Sequence, residues 1–197
     1  MLKIPLNYQQ SEYDCVPVTF LNALSYLCNR AEIDPVLIKA IYQHSLDSCD
    51  SHGNPGKRGT SQQAVASLVK WINQYSSKVR LGLYCQLLPP SDITIENTQI
   101  FSRVKRGGVL LACVHFEGSY HYVLVTGLDE YFVYVFDPYY TTVNLAEKDF
   151  DFIIDQPFIM NRRVQKEVFF GTESRPYALG EISKRECVLF YRELSRA

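Results

Sequence analysis

Residues 7–27 read NYQQSEYDCVPVTFLNALSYL, a polar segment that ends at Cys15 and passes directly into an apolar stretch. From Val18 onward the apolar residues recur at the spacing of one helix face. Pro17 suits the first helical turn, where its missing N–H would have no partner in any case. The pattern predicts a helix that begins close to Cys15. A cysteine at that place is either a buried core residue or a nucleophile, because the unpaired N–H groups of a helix N-terminus favour a thiolate.

Two further helices are predicted before the strands begin. Apolar residues at helical spacing indicate one helix over residues 34–45, and Thr60 followed by Gln63 resembles a capping box at the start of the next. The intervening stretch LDSCDSHGNPGKRGT, residues 46–60, is rich in glycine and small polar residues. It predicts a loop, and a loop of this length in a compact domain is often part of a functional site.

Beyond about residue 77 the pattern changes from helices to strands. VRLGLYCQL (79–87) alternates between apolar and polar residues, and a short helix is expected over residues 97–106. The remaining stretches with strand character are GGVLLACVHF (107–116), HYVLVTGL (121–128), YFVYVFDP (131–138) and ECVLFYREL (186–194). Helices followed by antiparallel strands predict an α+β fold, which we expect to form a single domain over residues 1–197.

Composition excludes two classes of partner. The chain of 197 residues carries 20 basic and 21 acidic residues, and no run of Lys or Arg is longer than two. Such a balance creates no field that would attract nucleic acid. The longest wholly apolar run covers residues 109–114, whereas a membrane-spanning helix needs about 18. We expect neither a nucleic-acid partner nor a membrane span, and the sequence does not indicate an oligomeric state.

The cysteines and the N-terminal segment indicate a compartment. The six cysteines are widely spaced and include no C-x-x-C pair, so we expect them to be reduced and to form neither a disulfide framework nor a redox motif. The first residues, MLKIPLNYQQ, lack the charged and then apolar layout of a secretory signal. The sequence therefore predicts a soluble, unexported, cytoplasmic chain.

A nucleophilic thiol needs a base, and His121 is the candidate among the four histidines. His121 opens one predicted strand, and Asp137 closes the next, sixteen residues later. In an antiparallel hairpin that turns near Asp129, the start of the first strand lies beside the end of the second. The spacing predicts that His121 and Asp137 meet, so that Asp137 fixes the orientation and tautomer of the imidazole.

Acyl transfer also requires hydrogen-bond donors directed at the developing oxyanion. A side-chain amide and the backbone N–H of the nucleophile commonly supply them. Gln9 and Gln10 both lie just upstream of Cys15, and the amide of either one could reach the site.

These motifs resemble those of the papain-like bacteriocin-processing peptidases, also called double-glycine peptidases, and their stand-alone relatives. The likeness rests on QQSEYDC (9–15), HYVLVTG (121–127) and VYVFDP (133–138), and it spans roughly residues 3–140. It implies a papain-like cysteine peptidase that acts on a peptide or protein substrate, whose identity the resemblance does not carry over. The implied roles are Cys15 as nucleophile, His121 as general base and then acid, Asp137 as the orienting carboxylate, and Gln9, rather than Gln10, in the oxyanion hole.

Val16 departs from the family pattern, in which a glycine usually follows the catalytic cysteine. A β-branched side chain there would crowd the turn that presents the thiol and would narrow the space for substrate. Two functions therefore stay open. One is a thiol-dependent hydrolase, or an acyltransferase if another nucleophile replaces water, and the other is a catalytically impaired module that binds peptides or proteins without cleavage.

Other groupings of reactive side chains have simpler interpretations. Cys113 and His115 share one face of a predicted strand, but the apolar run around them favours sheet core. His44, Cys49 and His52 match no standard zinc spacing, so a polar loop is favoured. We expect no metal and no cofactor, and residues 141–197 contain no motif that we recognise.

Overall fold

The structure is a computed structural model of the chain and describes residues 3–141 and 149–193. Within these ranges the α-helices are α1 (Cys15–Leu27), α2 (Pro35–Gln43), α3 (Gln62–Val79), α4 (Thr98–Lys105) and α5 (Lys166–Phe169). Short 3-10 turns cover Arg30–Glu32, Pro90–Asp92 and Ile182–Lys184. The strands are β1 (Leu83–Leu87), β2 (Val109–Phe116), β3 (Ser119–Leu128), β4 (Phe132–Phe136), β5 (Phe150–Phe152), β6 (Arg162–Gln165) and β7 (Cys187–Arg192).

These strands form one sheet in the order β1-β7-β2-β3-β4-β6-β5, and each neighbouring pair is antiparallel. The predicted α+β class, with N-terminal helices packed on an antiparallel sheet, is confirmed. The predicted hairpin of β3 and β4 lies near the centre of the sheet, so it is supported by neighbours on both sides. The predicted C-terminal strand is β7, which lies between β1 and β2.

The sheet has a hydrophobic core on each face, as the alternation along β2 shows. Leu110, Ala112 and Val114 belong to a core shared with α4 and α5, whereas Val109 and Leu111 belong to a core shared with α1, α2 and α3. Successive side chains of a strand point to opposite faces, so β2 serves both cores. Its nearly continuous apolar sequence is the result of this double burial.

Helix starts follow local capping chemistry, with one correction to the sequence prediction. Ser61, rather than Thr60, is the N-cap of α3, since its hydroxyl accepts a hydrogen bond from Ala64 N at 3.2 Å. The Thr60 hydroxyl instead accepts a hydrogen bond from Leu46 N at 3.0 Å. The predicted capping box was therefore wrong, because the N-cap lies one residue later and Ala64 at N3 cannot complete such a box. Thr60 instead helps to close the long loop.

The C-terminal part of the described chain completes the same sheet. β5 and β6 extend it beyond β4, and β7 is inserted next to β2. Across residues 3–141 and 149–193, no helix is both long and apolar enough to cross a bilayer.

Candidate active site

Cys15 is the first residue of α1, and a contact one turn later fixes its position against the sheet. Thr19 lies four residues after Cys15, on the same helix face. Its hydroxyl donates a hydrogen bond of 3.2 Å to the carbonyl oxygen of Tyr122, the residue that follows His121. The N-terminus of α1 therefore lies against the start of β3, and the half-buried Cys15 thiol is brought to the His121 ring.

His121 lies between Asp137 and Cys15. Its Nε2 lies 2.7 Å from Asp137 Oδ1, and the Cys15 side chain is a second hydrogen-bond partner of the ring. Because Nε2 is engaged by Asp137, Nδ1 is the ring nitrogen left to face Cys15. Burial alone lowers the pKa of His121, but the charge of Asp137 and the hydrogen bonds to Asp137 and Cys15 raise it from 6.5 to about 10.

Asp137 is fully buried, and both oxygens of its carboxylate are engaged. Oδ1 accepts hydrogen bonds from His121 and, at 2.8 Å, from Tyr139 N, while Oδ2 accepts one from the Tyr177 hydroxyl at 2.7 Å. Burial alone raises the pKa of Asp137, but His121, the Tyr177 hydroxyl and Arg162 hold it below its usual value of 3.8. The carboxylate is therefore ionised and its position is fixed.

The backbone of Asp137 is held by Asn161, which sequence analysis did not identify. Asn161 Oδ1 accepts a hydrogen bond from Asp137 N, and Asn161 Nδ2 donates one to Asp137 O, each at 2.7 Å. Asn161 lies 24 residues further along the chain. No local pattern in the sequence links two residues at that distance, so this clamp could not be found before the fold was known.

The register of β3 and β4 shows how His121 reaches Asp137. Leu124 pairs with Phe136, the last residue of β4, and the register shifts by one residue between Val125 and Gly127. Extending the register by one residue places Asp137 opposite Val123, so Asp137 is the diagonal neighbour of His121 rather than its direct partner. Long side chains span such diagonals in a sheet.

The segment before α1, which contains Gln9, crosses the end of β4. Gln9 N donates a hydrogen bond of 2.9 Å to Pro138 O, directly after Asp137. The Gln9 amide donates through Nε2 to Ser11 O at 2.7 Å, and its buried Oε1 has no hydrogen-bond partner among the described residues. Gln10 is exposed, whereas Gln9 is half-buried.

Asp14 shapes the last turn before the cysteine. Its buried carboxylate accepts hydrogen bonds from Gln10 N at 3.1 Å and from both the N–H and the hydroxyl of Ser11 at 2.9 Å. Although Asp14 is the N-cap residue of α1, its side chain does not cap the helix. It organises the approach segment instead.

A cleft of about 760 Å³ opens beside Cys15. Its walls come from the start of α1, from residues 57–62 at the end of the long loop, from β2 and β3, and from residues 183–186. The predicted loop therefore flanks the site. The volume of the cleft lies in the range of ligand sites in proteins.

Glu186 is a buried acidic residue in the wall of the cleft. Its carboxyl accepts a hydrogen bond from the Tyr122 hydroxyl, and burial raises the pKa of Glu186.

Val16 does not distort the turn that presents the thiol. It lies inside α1, and it is absent from the described non-glycine residues with positive φ, which are Leu46, Arg80, Glu117 and Tyr177. A β-branched residue adopts this right-handed backbone readily. The Val16 side chain is buried in the core between helices and sheet and also forms part of the cleft wall.

Of the other groupings of reactive side chains, only Cys113 among the described residues lies at the cleft. Cys113 lines the cleft rather than lying wholly within the sheet core, and burial raises its pKa well above the usual value. The His115 ring lies within 3.2 Å of the Ser174 hydroxyl and contacts the Tyr120 ring. In the long loop, the Asp50 carboxylate accepts hydrogen bonds from His52 N and Asn54 N.

The Peptidase_C39 like family matches residues 1–159 of this chain. No curated protein matches it. Among solved structures, the chain is similar to a double glycine motif protease from an AMS/PCAT transporter, crystallised in complex with the leader peptide. The identity is 14%, the alignment covers 97% of this chain and 93% of that chain, and the TM-score is 0.43.

Proposed function

Because this chain belongs to the Peptidase_C39 like family, we propose that it is a cysteine peptidase that hydrolyses a peptide or related amide bond through Cys15, His121 and Asp137. The observation that carries the proposal is the position of the His121 ring between the Cys15 side chain and the Asp137 carboxylate. A thiol, an imidazole and a carboxylate in that order form the catalytic arrangement of thiol proteases.

His121 is the general base for the Cys15 thiol, then the general acid for the leaving amine, and then the general base for water. Its raised pKa keeps it protonated at neutral pH, and an imidazolium stabilises a neighbouring thiolate. The Cys15 sulfur attacks the carbonyl carbon of the substrate, and the proton on His121 then passes to the leaving amine. Water, deprotonated by the neutral imidazole, hydrolyses the thioester and releases the acyl product.

Backbone and side-chain donors stabilise the oxyanion. The first intrahelical bond at this end runs from Val18 N to Asp14 O, so the N–H of Cys15 has no partner within the helix. The Gln9 amide carries two N–H groups, of which one bonds to Ser11 O. The second N–H and the N–H of Cys15 are the two donors that we assign to the oxyanion hole.

The helical backbone at Val16 favours an active site over an impaired one. Glycine would be needed there only if the turn required positive φ, and it does not. The buried Val16 side chain instead limits the width of the cleft next to the thiol. We therefore expect Val16 to restrict which substrate residues fit, rather than to abolish the reaction.

The test compares wild type with Cys15→Ala in a cell lysate, reading new peptide termini by mass spectrometry. The proposal predicts termini that appear with wild type and are absent with Cys15→Ala and His121→Ala. If no terminus depends on Cys15, the peptidase assignment fails. Acyl groups transferred to amines, in place of new termini, would identify an acyltransferase, and peptides retained intact by Cys15→Ala and wild type alike would identify a binding module.

A further inference from the structure

Asp137 has a second charged neighbour besides His121. This is Arg162 in β6, which is 4% exposed and contacts the Tyr177 hydroxyl. Its Nε donates a hydrogen bond of 2.9 Å to the Tyr177 hydroxyl oxygen, and that hydroxyl donates its own proton to Asp137 Oδ2 at 2.7 Å. The three side chains form a continuous buried chain from guanidinium to carboxylate.

The direction of this chain is fixed by donor and acceptor chemistry. A guanidinium can only donate, so Tyr177 must accept from Arg162 and turn its own proton toward Asp137. The Arg162 guanidinium is held in turn by a hydrogen bond from Nη1 to Asn161 O at 2.9 Å, and it lies 4.1 Å from the centre of the Phe152 ring. Arg162 therefore has little freedom to leave Tyr177.

A buried carboxylate needs a counter-charge. Burial without one costs several kcal/mol, and the group takes up a proton instead. His121 supplies a positive charge only while it is protonated, and a general base must lose its proton during each reaction cycle. An arginine side chain stays charged throughout. Its charge acts on the Asp137 carboxylate in addition to that of His121.

We propose that Arg162, acting through Tyr177, is the permanent counter-ion that keeps Asp137 ionised while His121 gains and loses its proton. The role of the pair in catalysis rests on the proposed function, in which His121 cycles. The other groups around Asp137 are Tyr139, whose N–H bonds to the carboxylate, and the neutral amide of Asn161. Glu12 and Glu117 act on the Tyr139 hydroxyl.

The proposal gives a function to the C-terminal part of the chain. Asn161, Arg162 and Tyr177 all follow residue 159, where the family match ends. They do not touch the reacting atoms, so they are positioning residues for Asp137. Arg162 and Asn161 are adjacent, so a single short segment supplies both the clamp on the backbone of Asp137 and the charge behind its carboxylate.

The test follows the titration of Asp137 in the full chain by carbon-13 NMR of labelled aspartate carboxyls. The Asp137 signal is identified as the one that Asp137→Asn removes. In Arg162→Met, which keeps the length of the side chain and removes its charge, the midpoint should rise by about one pH unit or more. Tyr177→Phe should also raise the midpoint. Arg162→Lys keeps the positive charge, so its Asp137 midpoint should stay close to that of wild type.

Arg163→Met is the matched control. Arg163 is the next residue of β6, and its guanidinium forms an exposed ion pair with Asp151 at 2.6 Å, so its loss should leave the Asp137 midpoint unchanged. Equal midpoints in wild type, Arg162→Met and Tyr177→Phe would overturn the proposal. Should Arg162→Met not fold, Tyr177→Phe decides alone, since it keeps both the buried ring and Arg162.

This titration does not depend on peptidase activity. A raised midpoint in the Arg162 and Tyr177 variants, together with no Cys15-dependent cleavage in lysate, would retain the counter-ion and reject the peptidase. An unchanged midpoint together with Cys15-dependent cleavage would reject the counter-ion and retain the peptidase.

Discussion

Two opposing effects act on the pKa of His121. Burial of the ring disfavours the imidazolium, whereas the Asp137 carboxylate and the hydrogen bond to Cys15 favour it. Burial is the largest single effect, but the contributions of Asp137 and Cys15 together exceed it, because the carboxylate is in direct contact and is shielded from solvent. The protonation state of His121 therefore depends chiefly on Asp137, with a further contribution from Cys15.

Asp137→Asn tests this dependence. The amide carries no charge, so burial should lower the pKa of His121 from about 10 to 6.5 or below. The measurement is a pH titration of the imidazole signals by NMR, with His121 identified through His121→Gln. Asp129→Asn, which removes a carboxylate at the other end of the same hairpin, is the control and should leave the His121 midpoint in place. A midpoint that stays near 10 in Asp137→Asn would show that another group protonates the ring.

Val16→Gly tests whether the bulk of this residue restrains the thiol. Loss of a buried valine side chain and introduction of glycine into a helix should together lower the free energy of unfolding by about 3 kcal/mol. The alkylation rate of Cys15 should stay within about threefold of wild type, because the backbone is already helical. Val16→Ala shortens the side chain without introducing glycine, so it separates the loss of burial from the effect of glycine on the helix. An alkylation rate more than about tenfold above wild type would show that Val16 suppresses reactivity.

The residues of the candidate site were partly predictable. Cys15, His121 and Asp137 lie at the ends of elements whose patterns are strong, so their proximity followed from a helix start and a hairpin. Tyr177 and Asn161 could not be predicted in the same way, because each reaches Asp137 from a segment with no sequence relation to the hairpin. Their roles arise from tertiary packing alone.

Among the elements, β1 lies at the edge of the sheet, so one side of the strand has no strand neighbour. A side chain of α3 pairs with backbone groups on that side. Asn73 Oδ1 accepts a hydrogen bond from Cys85 N at 2.9 Å, and Asn73 Nδ2 donates one to Cys85 O at 2.7 Å. The amide therefore pairs with the strand as another strand would. Edges blocked in this way resist pairing with a second chain.

Asn73→Ala should lower the free energy of unfolding by about 2 kcal/mol, because two hydrogen bonds to a largely buried strand residue are lost. Urea denaturation measures the change. Gln74→Ala is the matched control on the same helix, since Gln74 is exposed, and it should change stability by less than about 0.5 kcal/mol. Equal stability of the two variants would show that the amide pairing contributes nothing.

The β3–β4 hairpin shows where sequence patterns stop being sufficient. Its two strands and antiparallel pairing followed from strand propensity, but the shift of register at Thr126 did not. At the shift, Gly127 packs closely against Tyr134, since an added Cβ would lie 2.9 Å from the ring. An alternating pattern fixes which residues share a face, but a bulge changes which of them are opposite each other.

At the scale of the whole molecule, the C-terminal part of the chain was the least predictable. The strand β7 was expected, but its position between β1 and β2 was not, because pairing order depends on contacts far apart in sequence. β5 and β6 are short, three and four residues. Strands of that length carry too few residues for an alternating pattern to be recognised.

The buried ion pair predicts how stability depends on pH. The pKa of His121 is raised from 6.5 to about 10 in the folded state, so its contribution to the free energy of unfolding is complete below pH 6.5 and is lost as pH rises through about 10. The pKa of Asp137 is lowered from 3.8, so its contribution is complete above that pH and is lost as pH falls below it. The pair therefore stabilises the fold most between about pH 3.8 and pH 6.5, where both contributions are complete.

Urea denaturation of wild type and His121→Gln at about pH 5, 7 and 9 measures this contribution. Glutamine does not titrate, so the difference in free energy of unfolding between the two proteins should shrink as pH rises. A difference that stays constant across this range, or grows with pH, would show that His121 is not held in its protonated form by the fold.

The most direct test of the account is competitive alkylation of the native protein by iodoacetamide at neutral pH, with the six cysteines mapped by mass spectrometry. Cys49 is the exposed cysteine among the six and serves as the internal reference, whereas Cys15 is half-buried. Activation by His121 predicts that Cys15 reacts at least about tenfold faster than Cys49 in wild type and loses this advantage in His121→Ala. A Cys15 thiol that reacts no faster than Cys49, or that keeps its rate without His121, would show that His121 does not activate Cys15.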